Sequence, residues 1–535
     1  MAMRILENRG SILAKVWFVS LLSACSGALE PEPTGTELVT SAQSELTAQD
    51  RLAACSQDPR VTTGLLSPDI CAGGDIFLRE TFGGNGRTCG SCHPIANNTT
   101  VDVPFLTALH ASNPNDPLFI FERDSNLTQL ETGDLLGAAA VLENVDGFED
   151  PTHKFVSRSV NHMLSLRTST LRDPGDGTAS PPIERTGWGG DGAPGDGSLR
   201  SFLTGAIKQH FTKTLARREG IDFRVPSALE LDLTNNFQLS LGRSNELDLN
   251  SVRISDADAE DGRKAFLDPQ RGRCNVCHSN AGANFIDTRL NRNFDTGLSH
   301  VGGNLDQGLT QGTHDGKVFV DGGFGATTPV DANGAGELNA FGNVTFSVPP
   351  LIEAADTGPF FHNNARGPEI ENAVAFYAST PFGFSPAAIA LEARFGTPLN
   401  LGPVDSLHIA RFLRVLNSAF NADIAIQRLS AAATLVARFG NTRADIQTKL
   451  MDLAREELND ALAVLSSPAV NPVLLNPAAQ SSISQANAQI AAGIAASTAA
   501  QRQTRINSAL SFVRSARNQL GTNITFQMGQ GNLVF

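Results

Sequence analysis

Two short stretches put reactive side chains at a spacing that recurs: Cys89-Gly-Ser-Cys92-His93 and Cys274-Asn-Val-Cys277-His278. Three chemistries use cysteines so placed, namely zinc ligation, dithiol exchange and covalent attachment of haem. A zinc site built from two CxxC pairs has them roughly 15 to 20 residues apart. Here far more chain intervenes, and each pair carries its own trailing histidine. A thioredoxin-type dithiol sits beside a βαβ pattern, which neither copy shows. Haem c accommodates both copies. Cysteines at i and i+3 lie on one side of a helical turn, where their sulfurs reach two vinyl groups, and the next histidine is carried beneath the iron as axial ligand. The sequence therefore predicts two covalently bound haem c groups, one on Cys89, Cys92 and His93, the other on Cys274, Cys277 and His278.

The remaining cysteines fit an exported chain. Arg4, Arg9 and Lys15 precede an apolar run over 16–22, shorter than the roughly 20 residues a spanning helix needs, so the start reads as a signal peptide. The run closes on Leu22-Ser23-Ala24-Cys25, which resembles the lipobox of bacterial lipoproteins. Cys25 would then be a lipid anchor to a membrane, with a plain signal peptide as the alternative. The expected location is the periplasmic side of a bacterial membrane, the outer membrane foremost. In that oxidising space Cys55 and Cys71, the pair left over, are free to form a disulfide.

The elements that must position these motifs read as mainly helical. At 535 residues, with 41% hydrophobic and 18% charged side chains, the composition is that of a soluble globular chain with room for two to four domains. A net charge of -14 and a pI near 5.2 argue against a nucleic-acid partner. Residues 25–50 are Pro-, Ser-, Thr- and Glu-rich and read as a tether after a leader over 1–24. GGDIFLRETFGGNGRTCGSCH and GRKAFLDPQRGRCNVCH each place a Gly, then a Phe-Leu pair, ahead of the CxxCH motif, which predicts two similar helical units over 51–245 and 246–425. Ser255-Asp256-Ala257-Asp258 is a capping-box pattern that opens a helix in the second. Residues 170–200 have loop composition, and Lys317-Val318-Phe319-Val320 is a β-like fragment within the Gly- and Asn-rich 291–348. Helical spacing returns at Ile409, Phe412, Leu413 and Leu416, then over 446–462 and over about 482–520, the last two suggesting a hairpin in an extension over 426–535. The tail NITFQMGQGNLVF predicts a β-hairpin around Gly529-Gln530-Gly531.

Over roughly 65–425 the chain resembles the bacterial dihaem cytochrome c peroxidase superfamily, which includes MauG-like dihaem oxidases and dihaem rubber oxygenases. Four features carry the resemblance: the paired CxxCH motifs, RTGWGGDG followed by Ser198-Leu199, TGPFFHNNARGPEIENAVAFY, and Ala410-Arg411-Phe412-Leu413. The implied fold is two cytochrome c-like haem domains packed together, with long loops and a C-terminal helical extension. Trp188, the only tryptophan outside the leader, falls where the family places an aromatic bridge between haems. His110 follows His93 at about the spacing of a labile distal histidine; a satisfied structural histidine is the alternative. The family's distal acid-base carboxylate, which follows the tryptophan, is not matched, and its position falls near His210, with Glu219 further on.

The sixth ligand of the second haem separates peroxidases, which use methionine, from MauG-like oxidases, which use tyrosine. His362 is followed at nearly the family spacing by Tyr377, the only tyrosine in the chain. Gly367-Pro368 would open its helix, putting Ile370, Val374 and Tyr377 on one face. A phenolate favours ferric iron, whereas a thioether favours ferrous iron. The alternative has His362 as the ligand and Tyr377 as a core ring. The resemblance thus implies an oxidoreductase that reduces hydrogen peroxide or activates O2 at the first haem, with electrons relayed from the second and a small redox protein as donor. A rubber-oxygenase-like dioxygenase and a non-catalytic electron-transfer lipoprotein are the rivals. Relatives also carry a bridging calcium; Asp191 and Asp196 could serve it, although solvated loop acids are the plainer explanation.

Overall fold

Each long helix starts where a side chain can satisfy its first free N–H groups. Ser67 caps Pro68–Arg79, its hydroxyl accepting from the Ile70 amide, with Pro68 in the first turn. Asp256 caps Ala257–Leu267 by accepting from the amides of Asp258 and Ala259, so the cap falls one residue after the serine of the expected box. The computed structural model describes residues 46–143, 152–153, 155–176, 183–185, 198–298, 301, 310, 313–314, 317–318, 320–323, 340–466 and 475–535, without side chains over 313–344. Helix accounts for 55% and strand for 6%, so the protein is mainly α, as expected. Leu46 to Phe535 form one compact unit. The leader with Cys25, Trp188, Asp191 and Asp196 lie outside the described residues.

The echo ahead of the two CxxCH motifs is a repeated helix crossing. Pro68–Arg79 crosses Ala228–Gln238, and Ala257–Leu267 crosses Pro403–Phe439. A β-carbon at Gly73 would collide with the Leu233 carbonyl, and one at Gly262 with the His408 carbonyl. Glycine lets the two backbones touch. One turn further along each pair, Phe77 meets Phe237 at 5.2 Å between ring centroids and Phe266 meets Phe412 at 5.7 Å. All four rings are buried. Ahead of the first crossing, Ala48–Cys55 is tied to Pro68–Arg79 by the Cys55–Cys71 disulfide, the expected pairing.

Pro403–Phe439 runs unbroken through 425. Its first half buries Ile409, Phe412 and Leu413 beneath the second CxxCH motif. Its second half buries Ala425, Leu429, Ala432 and Leu435 against Ala444–Leu465 and Ala499–Leu520. One hydrophobic core is therefore continuous from the second site into the extension. The 482–520 stretch is not one helix: Pro477–Ile494 and Ala499–Leu520 form a hairpin of their own, because Thr498 caps a new helix by accepting from the Gln501 amide. The tail forms no hairpin. Gly521–Thr522 pairs antiparallel with Arg253–Ile254, and Gln530–Leu533 is a 3-10 turn. Gly529 and Gly531 are needed because the Ser240 backbone lies where their β-carbons would be. The tail then reaches the N-terminal helices, where Arg60 donates to the Leu533 carbonyl at 2.9 Å and lies over the Phe535 ring.

Candidate functional site

The first motif is one helical turn, Cys89–Cys92, entered from a loop clamped on both sides. Gly84 lies so close to the Phe211 carbonyl that a β-carbon could not fit. Asn85 donates its amide to Phe211 O at 2.8 Å and its side chain to the carbonyls of His210 and Thr212, both at 2.9 Å. Arg87, fully buried, pairs with Glu131 at 2.6 Å and stacks on Phe121. The GNGR sequence is thereby accounted for as the fastening of the turn.

His93 ends that turn, its amide donating to Cys89 O at 2.9 Å. Its Nδ1 stands 2.8 Å from the Thr99 carbonyl. A carbonyl only accepts, so Nδ1 carries the hydrogen and Nε2 keeps its lone pair. Burial drives the pKa down to about 4, and the ring is neutral at pH 7. Phe77 lies 6.2 Å from the His93 ring.

The second motif repeats this geometry. His278 donates its amide to Cys274 O at 2.9 Å and places Nδ1 3.1 Å from the Pro349 carbonyl. Burial again lowers the pKa, to about 4. His93 and His278 have nearly the same backbone angles, φ -118°, ψ 60° and φ -110°, ψ 63°. An imidazole held by Nδ1–H···O=C with a free Nε2 is the state in which histidine ligates a metal.

His278, Cys274 and Cys277 open on an apolar cavity of about 210 Å³, which Phe266, Leu413 and Ile370 also line. Ile370, Val374 and Tyr377 face it together, as their spacing predicts, although Glu369 rather than Gly367-Pro368 precedes the first helical residue. Burial, with the nearby cysteines, pushes the Tyr377 hydroxyl well above its usual pKa. His362 lines the same cavity, its ring stacked on Phe346 at 4.2 Å. Both candidate sixth ligands thus share one chamber with His278.

None of the four motif cysteines is in a disulfide, and burial raises the pKa of each thiol, to about 12 for Cys89, Cys274 and Cys277 and about 11 for Cys92. The two CxxC pairs pack in different cores. Among the described residues no three His, Cys, Asp or Glu converge as a metal-binding group. Among the described residues the two CxxC pairs therefore do not meet in one shared metal centre, and each keeps its own histidine.

His110, on Val103–Ser112, meets Phe119 edge-on at 5.0 Å, beside a small core that takes in Phe105, Leu109 and Cys92. His210 ends Leu199–His210 with Nε2 3.6 Å from Glu143, while Gln209 donates to the other Glu143 oxygen at 2.9 Å. Burial works against the Glu143 charge, but His210, Arg158 and Gln209 outweigh it and hold the pKa below the usual carboxylate value. Glu143 lies in a strand, Ala140–Glu143, that pairs with Val156–Ser159. Sequence reasoning missed Glu143 because no local spacing links it to His210. It also missed His162, buried on the wall of the second cavity.

No family model, curated protein or solved structure matches the chain.

Proposed function

We propose that the protein is a dihaem c-type oxidoreductase of the cytochrome c peroxidase type, built from two cytochrome c-like units and a helical brace. The observation that carries this reading is the repeat itself. Twice, a CxxCH turn follows a helix crossed at glycine, and twice the histidine gives its Nδ1–H to a carbonyl. Haem iron bound there would supply one-electron chemistry and a binding position for peroxide or O2.

The chain's own residues do the rest. Cys89, Cys92, Cys274 and Cys277 would carry the thioethers, and the Thr99 and Pro349 carbonyls orient His93 and His278. At the second site an apolar wall surrounds His278, and Tyr377, or in the alternative His362, would help hold the second haem there; a phenolate would favour an oxidation-tolerant centre. At the first site His210 and Glu143 form a pair able to hold and pass a proton beside the bound oxidant. Trp188 remains the proposed bridge and His110 the proposed displaceable ligand. A small redox protein would supply electrons, and a lipid on Cys25 would hold the enzyme at the periplasmic face of the membrane. The pyridine haemochrome assay tests the reading: two covalent haems per chain are expected from a host able to attach them, and fewer would refute it. Rapid reaction of the reduced protein with peroxide or O2 separates an enzyme from an electron carrier with two closed haems.

A further inference from the structure

We propose that Arg366, with Ser379 and Asn372, forms a binding site for a small organic carboxylate. The site uses none of the CxxCH residues and does not depend on the dihaem reading.

The turn that follows His362 presents Arg366 and is held from several sides. Phe360 donates its amide to the Gly367 carbonyl at 3.0 Å, and Ala365 donates its own to the Asn363 side chain at 3.2 Å. Asn364 reaches further along the chain, donating to the carbonyls of Ala138 and Ala139 at 2.7 and 3.1 Å. Gly367 closes the turn at φ 65°, where glycine is at ease. From this turn the Arg366 guanidinium lies over the Phe376 ring, 5.5 Å from its centroid. Such a contact steadies a cation without using its N–H donors.

What Arg366 lacks is an acid. The two carboxylates that follow it in the chain, Glu369 and Glu371, are drawn to Arg414, at 2.8 and 2.7 Å. The Arg366 Nε is buried and has no hydrogen-bond partner among the described residues. Ser379 repeats the pattern. It stands at the N-cap of Thr380–Gly383, yet its hydroxyl makes no capping bond, and its Oγ is likewise buried without a partner. A buried polar atom left unmatched costs on the order of 1–3 kcal/mol, so two on one cleft point to a ligand that supplies acceptors.

That cleft, of about 290 Å³, is walled by Ala365, Arg366, Asn372, Ala375, Phe376 and Ser379, a volume near the lower end for small-molecule sites. Asn372, Ala375, Phe376 and Ser379 follow one another at helical spacing and so share a face. Guanidinium, hydroxyl and amide are donors enough for two carboxylate oxygens, while Ala365, Ala375 and Phe376 offer an apolar wall to the carbon skeleton. A phosphate carries more charge and calls for more than one cation, and Arg366 is the single cation on this wall. Phe376 also meets Phe361 at 5.1 Å and Tyr377 at 5.4 Å, both of which line the second cavity. A bound acid would therefore lie one ring away from that cavity.

The test is isothermal titration calorimetry on the purified holoprotein with acetate, succinate and benzoate, their neutral amides, and inorganic phosphate. At least one of the three acids is expected to bind saturably, once per chain, and its amide, of the same shape without the charge, to bind far more weakly. Arg366→Gln should weaken that acid by about tenfold or more, and Ser379→Ala by about threefold. Saturable binding of none of the three, or binding that Arg366→Gln leaves unchanged, overturns the proposal. Phosphate binding more tightly than every acid, with the same dependence on Arg366, overturns the carboxylate assignment. If Arg366→Gln does not fold, Ser379→Ala and the acid-amide comparison decide. Haem content, counted separately by pyridine haemochrome, bears on the dihaem reading alone: fewer than two haems would refute that reading and leave the calorimetric result to stand by itself.

Discussion

Gly73 lies against the carbonyl of Leu233 so closely that no β-carbon fits between them, and Gly262 meets His408 in the same way. Each contact sets the distance between two helices and places the phenylalanine of the next turn beside a CxxCH histidine or its cavity. Alanine at either position must push the helices apart. Gly73→Ala and Gly262→Ala are each expected to cost about 1–3 kcal/mol, as overpacked cores do. Urea denaturation should show this as a lower midpoint with an unchanged slope; a midpoint equal to the parent's would mean the contact carries no load.

Tyr377 and His362 share the second cavity with His278, and under the dihaem proposal one of the two would be the second ligand there. With Tyr377 as the ligand, Tyr377→Phe should abolish a phenolate-to-ferric charge-transfer band and raise the potential of the second site, whereas a His362 substitution should leave the band in place. The reverse pattern in optical and redox titrations would reassign the ligand to His362.

Glu143 should contribute stability with a definite dependence on pH. Its folded pKa lies below the usual value, so its contribution is present above the unfolded pKa of about 4.3 and is lost as pH falls through the folded value. Glu143→Gln is expected to cost about 1–3 kcal/mol at pH 7. The gap from the parent should close in acid, and a gap of constant size from pH 7 down to pH 3 would contradict the assignment.

Two acids where the extension packs on the rest of the chain work in the opposite sense. Burial and the Glu457 charge push Asp356 up to about 7, and burial with the charges of Asp356 and Glu457 pushes Asp460 up to about 8. Asn421 donates to Asp356 at 2.6 Å, and Asn98, five residues past His93, donates to Asp460 at 3.4 Å. A carboxyl that keeps its proton longer in the folded chain makes stability fall as pH rises from about 4 through 8. Asp460→Asn should flatten that fall and gain on the order of 1 kcal/mol at pH 8. Melting curves at pH 5 and pH 8 would reveal it, and an equal shift at both values would rule it out.

What could be read from the sequence was whatever local spacing encodes. The CxxCH turns, the Phe-Leu echo, the face shared by Ile370, Val374 and Tyr377, and the helical stripes around Ile409 and Leu450 all depend on neighbours within a turn or two. Glu143 and His162 escaped because a short strand pair and a loop carry them to their sites by tertiary contact alone. The tail misled for a related reason: Gly529 and Gly531 look like turn glycines, yet their smallness serves an approach to Ser240, far away in the sequence. The break ahead of Thr498 was hidden by alanines that suit a helix on either side.

The tail also constrains the order of assembly. Arg60 is made early, but its acceptor, Leu533 O, emerges 473 residues later. Pairings that distant form late in folding. The wall of the first unit that Arg60 and Val534 complete stays unsealed while the intervening helices are threaded out and folded. Under the dihaem proposal Cys89, which packs on the same core as Val534, would be modified while that wall is still open.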